Sequence, residues 1–177
     1  MSEPLRCAEC GYSDESVTAA DAIAAVRRFG RRYRAPLTRF LPGEDPDRVL
    51  RTRPAPGVWS PLEYAAHVRD VFGWYDERIR RSLVEDRPTF DGPNHEEVAE
   101  AERYNDQDPA AVADALAANA DRLADTLEAM PDDGWDRVHV RWGQERSVLL
   151  VARRAVHEGN HHLLDIGRGL RANREGR

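Results

Sequence analysis

The sequence of 177 residues is short of several features that would assign it to a common class of protein. It has only two cysteines, both near the N-terminus, which is not the framework of a secreted disulfide-rich protein. It has no apolar run long enough to cross a bilayer, and its N-terminus lacks the basic and then apolar pattern of a signal peptide. We therefore expect a cytoplasmic protein with no membrane partner.

Lysine is absent, and the basic side chains are arginines dispersed along the chain. The formal net charge is -6. A nucleic-acid partner requires a concentrated basic surface that neutralises phosphates, so no such partner is expected. With 41% hydrophobic and 33% charged residues, the chain is long enough to form one globular domain with its own core.

Apolar residues recur at steps of three and four in four long segments, which predicts four helices. The clearest start signal is Ser60-Pro61 with Glu63, because a serine cap, a proline in the first turn and an acid able to close the capping box coincide there. Four such helices, each with one apolar stripe, indicate an all-α protein that folds as a four-helix bundle. The predicted helices run from about Thr18 to Leu41, from Pro61 to Leu83, from Pro109 to Met130 and from Val148 to Gly169.

The stretches between these helices carry weaker signals. Residues 42–58 are rich in proline and are expected to form a linker, and residues 96–104 are expected to form a short helix. Between Gly134 and Gly143 the apolar pattern changes to a period of two, which predicts an extended segment. The predicted divisions of the chain are an N-terminal tail at 1–14, the bundle at 15–170 and a C-terminal tail at 171–177.

The fourth predicted helix carries two candidate metal-binding pairs with i,i+4 spacing, His157 with His161 and Glu158 with His162. His162 lies in the apolar row of the helix and Glu158 lies in the row beside it, so this pair is expected to face the core. His157 and His161 share a row with two arginines and are expected to face solvent. An inward carboxylate needs a partner, and a metal shared with His162 would provide one.

His67, on the second predicted helix, is the third candidate ligand. Two histidines and a glutamate are a known ligand set for catalytic zinc, with a fourth position left to water or substrate. Asp165, three residues after His162, is placed to hold an imidazole N–H. On spacing alone, His67 would as readily be a core histidine and Glu158 a surface carboxylate, so both interpretations stay open at this point.

Two segments resemble motifs of the DinB-like metalloenzyme superfamily. The segment Trp59–Asp70 resembles the second-helix motif, in which Trp-Ser opens the helix and a later histidine binds metal. The segment His161–Ile166 resembles the fourth-helix motif, in which a metal-binding histidine precedes a polar residue by three positions. The resemblance covers the chain from Thr18 to Arg168. It implies an up-down bundle with one long crossover, and a site that holds zinc or nickel in members with three histidines.

The chain departs from the three-histidine pattern because Glu158 stands four residues before His162. The mycothiol-dependent maleylpyruvate isomerases show the same substitution, so the resemblance points to that branch and to related thiol transferases. It implies that His67, Glu158 and His162 hold one divalent metal per chain, with zinc as the expected ion. It also implies that the metal activates mycothiol or another small thiol.

Two classes of function follow from these features. The first is a metal-dependent thiol transferase or isomerase that activates a small thiol, or water, for reaction with a small electrophilic substrate. The second is a non-catalytic metal-binding module of the same fold that serves in stress response or ligand binding. Arg141, Trp142 and Arg154 are candidates for contact with an anionic substrate. No catalytic residue is assigned, and a homodimer stays open.

Cys7 and Cys10 form half of a zinc-ribbon pattern, whose complete site needs four ligands. A zinc knuckle that borrows ligands from elsewhere and a redox pair are both open, but the simplest expectation is a mobile, reduced tail. Deletion of residues 1–14 should then leave the main metal and the thermal transition nearly unchanged. His95 and His139 are expected to be exposed and without function.

Overall fold

The computed structural model describes residues 5–176, so residues 1–4 and 177, which belong to the predicted tails, lie outside the described residues. The described range holds six α-helices and three short strands. In chain order the helices are α1 (Ala19–Thr38), α2 (Pro46–Arg51), α3 (Pro61–Val84), α4 (His95–Ala101), α5 (Pro109–Glu128) and α6 (Val148–Glu175). The strands are β1 (Thr89–Phe90), β2 (Val138–Arg141) and β3 (Gln144–Ser147). None of the described helices has the length and hydropathy needed to cross a membrane.

Side-chain caps start the four long helices where the sequence predicted. Thr18 caps α1 and Ser60 caps α3, and each forms a reciprocal capping box with an acidic residue three positions later. Asp108 caps α5 and Ser147 caps α6, each by accepting a backbone N–H hydrogen bond. These caps satisfy donors that a helix leaves unpaired at its start, so the helix starts are local properties of the sequence.

The four long helices form a bundle in which neighbours in the chain are not all neighbours in space. α1 packs against α5 and α6, and α3 packs against the same two helices. α1 and α3 therefore lie across one diagonal of the bundle, and α5 and α6 lie across the other. The predicted all-α four-helix bundle is confirmed, and its α3–α6 contact brings the second and fourth predicted helices side by side. The large, fully buried side chains that the four long helices contribute to the core are Phe29, Tyr33, Leu37, Leu62, Phe72, Ile79, Leu116, Leu123, Leu127 and Ile166.

The segment between α5 and α6 forms a β-hairpin, of which the alternating pattern predicted the first strand as an extended segment. β2 pairs antiparallel with β3, and β1 pairs in parallel with the other edge of β2. Trp142 and Gly143 form the turn, with left-handed φ values of 52° and 70°. His139, which we expected to be exposed, is buried because the face of β2 that carries it packs towards α3.

The segment ahead of α1 packs against α6, and the expectation of a mobile tail was wrong. Tyr12 is buried, and its hydroxyl donates a hydrogen bond to the backbone oxygen of Arg153 at 2.6 Å. Asp14 is also buried, and its Oδ2 lies 3.3 Å from a guanidinium nitrogen of Arg154. Tyr12 and Arg153 are 141 positions apart in the chain, so no local pattern indicates this contact.

Two further boundaries differ from the expectation. α6 continues to Glu175, through most of the predicted C-terminal tail. Asn173 explains the extension, because its buried side chain donates hydrogen bonds to the backbone oxygens of Val49 (2.9 Å) and Thr52 (2.8 Å). These two residues lie in and just after α2, a short helix within the predicted linker at 42–58.

Candidate metal and substrate site

The α3–α6 contact brings the three predicted metal ligands together. One donor atom from each of His67, Glu158 and His162 lies within 4.8 Å of the other two. Oε2 of Glu158 is 3.7 Å from Nε2 of His67 and 3.3 Å from Nε2 of His162. His67 lies in the second turn of α3, and the other two residues lie one turn apart in the middle of α6. We call these three residues the His67 cluster.

Neighbouring side chains hold both imidazoles of the His67 cluster in place. Oδ2 of Asp165 is 2.9 Å from Nδ1 of His162, as predicted, which turns Nε2 of that ring towards the cluster. The Tyr64 ring stacks on His162 with centroids 5.1 Å apart. The Trp59 ring packs edge-on against His67 at 5.2 Å. The ring orientations therefore depend on the residues that start α3 as well as on α6.

Glu158 stays ionised although its side chain is only 24% exposed. Burial would raise the pKa of this carboxyl, but its interactions with the imidazoles of His162 and His67 outweigh burial and hold the pKa well below its usual range. Burial would lower the pKa of His162, but hydrogen bonds with Asp165 and Glu158 outweigh it and raise the pKa to about 9. The carboxylate therefore attracts positive charge, which a proton on an imidazole or a divalent cation can supply.

The His67 cluster opens onto a cavity of about 350 Å³, whose wall also includes Trp59, Tyr64 and His95. His95 was expected to be exposed and without function, but its ring centroid lies 4.8 Å from that of His67. It is the first residue of α4, which packs against α3. Burial lowers the pKa of His95, which favours the neutral form of its imidazole inside the cavity.

Two buried arginines lie on the other side of Glu158. Arg78 of α3 and Arg141 of β2 are 5% and 7% exposed, and with His95 and Glu158 they line a narrow pocket of about 50 Å³. Burial and the charges of neighbouring arginines lower the pKa of Arg78 to about 10. Within residues 5–176 neither guanidinium is paired with a carboxylate, and Nε of Arg141 has no hydrogen-bond partner. These two cations are short of counter-charge.

The other two candidates for substrate contact lie outside the cavity of the His67 cluster. Trp142 is exposed on the hairpin turn, with the Arg141 guanidinium carbon 4.0 Å from its ring centroid. Arg154 is paired with Asp14. Arg78 was missed by the sequence analysis because nothing in its local pattern distinguishes it from the exposed arginines that follow it on α3.

His157 and His161, the alternative pair on α6, do not face His67. They are turned towards Cys7 and Cys10, and one donor atom from each of these four residues lies within 4.8 Å of the others. The expectation that this pair faces solvent was wrong, because the N-terminal segment covers it. The apolar-row argument did identify the pair that faces α3.

Comparison with known sequences decides the family. Residues 18–166 match the sequence model of the DinB superfamily. The chain belongs to this superfamily. The resemblance found in two short motifs is thereby confirmed over most of the chain, and the matched range includes the whole His67 cluster. Among curated proteins, no sequence matches this DinB protein.

A solved structure from Bacillus subtilis has the same fold as this DinB protein. That protein, YfiT, is described as a probable metal-dependent hydrolase with an unusual four-helix bundle topology. The two structures superpose with a TM-score of 0.80 over 92% of this chain and 91% of YfiT. Their sequences are 18% identical, so the likeness establishes the fold.

Gly159 lets α6 of this DinB protein approach α1 closely beside the His67 cluster. A Cβ at this position would lie 2.4 Å from two ring carbons of Phe29, which is fully buried. We expect Gly159→Ala to lower the free energy of unfolding by about 1–3 kcal/mol, as overpacking of a core does. It should also weaken metal binding, because the backbone that carries Glu158 must shift. Thermal unfolding and zinc titration measure the two effects.

Gly167→Ala is the matched control for this substitution, because Gly167 lies on the same helix with no atom within 4 Å of an added Cβ. Its melting temperature should stay at or slightly above that of the wild type. A Gly159→Ala protein as stable as the Gly167→Ala protein would contradict the packing argument.

Proposed function

We propose that this DinB protein is a metal-dependent enzyme in which His67, Glu158 and His162 bind one divalent cation, zinc. The observation that carries the proposal is the convergence of two imidazoles and one carboxylate, within 4.8 Å, on the wall of an open cavity. Two histidines and one glutamate are a ligand set of catalytic zinc, which keeps a further position for water or substrate. The cavity beside these donors has room for a small ligand.

The residues around the three donors fit a cation. Glu158 carries a largely buried negative charge, which requires a positive partner. Asp165 holds Nδ1 of His162, as a carboxylate commonly does for a zinc-binding histidine. When bound, a divalent cation would lower the pKa of a water molecule or thiol and so supply a nucleophile at neutral pH.

The proposed nucleophile is a low-molecular-weight thiol such as mycothiol, or water. The thiol is supported by the His/Glu/His set, which resembles that of the mycothiol-dependent maleylpyruvate isomerases. Water is supported by the description of YfiT as a probable metal-dependent hydrolase. His95, whose ring lies 4.8 Å from that of His67 on the wall of the cavity, is placed to accept the proton that either nucleophile releases.

The proposed substrate is a small electrophile with an anionic group. Arg78 and Arg141 are buried with no carboxylate partner among the described residues, in a pocket that they share with Glu158 of the cluster. Burying unpaired cations is costly, and a bound carboxylate or phosphate would offset that cost through bidentate hydrogen bonds. The anionic group would then lie against the arginines, and the electrophilic carbon would lie nearer the His67 cluster.

Turnover assays on the zinc-loaded protein test this proposal. Suitable substrates are small carboxylate-bearing esters for hydrolysis and unsaturated carboxylates for thiol addition, each beside a neutral methyl-ester analogue, with mycothiol present or absent. We expect zinc-dependent turnover that favours the anionic member of each pair. Arg78→Met and Arg141→Met should raise KM for that member about 10–100-fold, since a hydrogen bond to a charged group contributes about 1.5–3 kcal/mol.

Arg80→Met is the matched control for the two arginine variants. Arg80 lies two residues after Arg78 on α3, and its side chain is 56% exposed. Equal turnover of the charged and the neutral substrate by the wild type and by both arginine variants would refute the role of the arginines. Tight zinc binding without turnover, either with water or with added thiol, would instead favour a non-catalytic metal-binding module of the same fold.

A further inference from the structure

The N-terminal segment contains a tight turn that carries both cysteines of the chain. The backbone N–H of Cys7 donates to the oxygen of Tyr12, and the N–H of Gly11 donates to the oxygen of Cys7, both at 2.9 Å. Gly11 has a φ of 69°, in the left-handed region that glycine adopts without strain. Cys7 and Cys10 are separated by two residues, which is the spacing of half a structural zinc site.

α6 supplies two further donors opposite this turn. His157 and His161 are one helical turn apart, with ring centroids separated by 5.1 Å. Nδ1 of His161 lies 3.5 Å from Sγ of Cys7. Nε2 of His157 is buried and has no hydrogen-bond partner among residues 5–176. A buried imidazole nitrogen without a partner costs free energy, and a metal ion in this position would satisfy it.

We propose that Cys7, Cys10, His157 and His161 form a second metal site, which takes zinc. One donor atom from each of the four lies within 4.8 Å of the others. Two thiolates and two imidazoles are a ligand set of structural zinc sites, which are four-coordinate and closed. Thiolates favour zinc over magnesium or calcium, which prefer oxygen ligands.

The second site differs in kind from the His67 cluster. The His67 cluster has three donors beside a cavity, whereas the second site has four donors from two segments that pack against each other. The second site therefore fastens the N-terminal segment to α6 and has no position for a substrate. Other contacts join the same two segments: the Tyr12 ring lies 5.1 Å from that of His157, and Arg168 pairs with Glu9 at 3.0 Å.

A disulfide between Cys7 and Cys10 is the competing use of the two thiols. Both cysteines are free in the structure. A redox pair requires neither His157 nor His161, and it would leave the buried Nε2 of His157 without a partner.

Zinc content and cobalt(II) spectra of the full-length protein test the second site. The wild type is expected to hold two zinc ions per chain, and Cys7→Ser/Cys10→Ser is expected to hold one. His67→Ala should also lose one ion, but from the other site. Cobalt(II) distinguishes the sites, because only a thiolate site gives intense thiolate-to-cobalt absorption. That absorption should be present in the wild type and in His67→Ala, and absent from the double cysteine variant.

Melting temperature provides a readout that is independent of turnover. Zinc should raise the melting temperature of His67→Ala by roughly 10 °C over the chelator-treated protein, because the ion binds only the folded state. Cys10→His keeps a zinc ligand at this position and should retain most of this shift in melting temperature. This variant keeps the second site testable if the double cysteine variant does not fold. Ala8→Ser, an exposed change within the turn, is the control and should retain all of it.

Two results would overturn the second site: a folded wild-type protein without thiolate-to-cobalt absorption, or a Cys7–Cys10 disulfide that forms with no change in zinc content. The proposal does not rest on the proposed function. Loss of one ion from His67→Ala with the thiolate absorption retained would support it, whatever the turnover assays show.

Discussion

Replacing Glu158 with alanine should lower the affinity of the His67 cluster for zinc by about 100-fold or more. The substitution removes the one anionic donor and leaves two imidazoles, whereas loss of a residue that only orients a ligand already costs about 10–100-fold. Zinc-dependent turnover should fall to background with it. The affinity is best measured by competition with a chelator in the Cys7→Ser/Cys10→Ser background, where the His67 cluster is the only site expected to bind.

Two further variants separate the charge of Glu158 from the packing of α6. Glu158→Gln keeps the size of the side chain but not its charge, so it should lose nearly as much affinity as the alanine variant. Asn160→Ala changes a residue of the same helix that accepts a hydrogen bond from Arg32, and it should bind zinc as the wild type does. Full zinc affinity in Glu158→Ala, with loss in His157→Ala, would show that the ligands on α6 are misassigned by one residue.

Deletion of residues 1–14 should lower the melting temperature by about 10 °C or more. The deletion removes the buried Tyr12 from α6 and leaves Arg154 without Asp14. Burial of an aromatic side chain contributes about 1.5–3 kcal/mol, and each kcal/mol corresponds to about 2–4 °C for a domain of this size. Loss of the ion pair and of a bound zinc ion would add to the shift. Calorimetry of the full-length and truncated proteins measures it.

Single substitutions test the same segment if the truncated chain does not fold. Tyr12→Ala should lower the melting temperature by several degrees, because the buried ring and its hydrogen bond to Arg153 are both lost. Arg6→Ala removes a side chain that is 74% exposed and pairs with Glu15 at the surface, so it should change little. A truncated protein that melts with the wild type would restore the interpretation of this segment as a passive tail.

The bundle could be predicted from the sequence because helix caps and apolar stripes depend only on residues that are close together in the chain. Ser60 and Thr18 cap their helices wherever those helices pack, and the capping boxes follow from residues three positions apart. The apolar row of α6 likewise identified Glu158 and His162 as the pair that faces another helix. The order of helices around the bundle depends on contacts between distant segments, which such signals do not contain.

The two arginines that share a row with His157 and His161 show where local reasoning fails. They were taken to mark a solvent-facing surface, because burying them would leave charges with no evident partners. The N-terminal segment supplies those partners: Asp14 pairs with Arg154, and Glu9 pairs with Arg168. A helical wheel indicates which side chains share a face, but it does not indicate which distant segment covers that face.

His95 and Arg78 were missed for a related reason. His95 reaches the cavity only because α4 packs against α3, and α4 is a short helix within a polar connection. Arg78 becomes a buried cation only where β2 covers α3. Both positions depend on how connecting segments fold back over the bundle, so their roles could be assigned only from the structure.

Asp165 lies between the two candidate metal sites. Its Oδ2 is 2.9 Å from Nδ1 of His162 and 3.5 Å from Nε2 of His161, so the same carboxylate holds one imidazole of each site. Two thiolates would neutralise a divalent cation, whereas one glutamate would leave a positive charge that Asp165 offsets. Filling the second site would therefore add no net charge beside Asp165, and this carboxylate stays available to offset the charge of an ion at the His67 cluster.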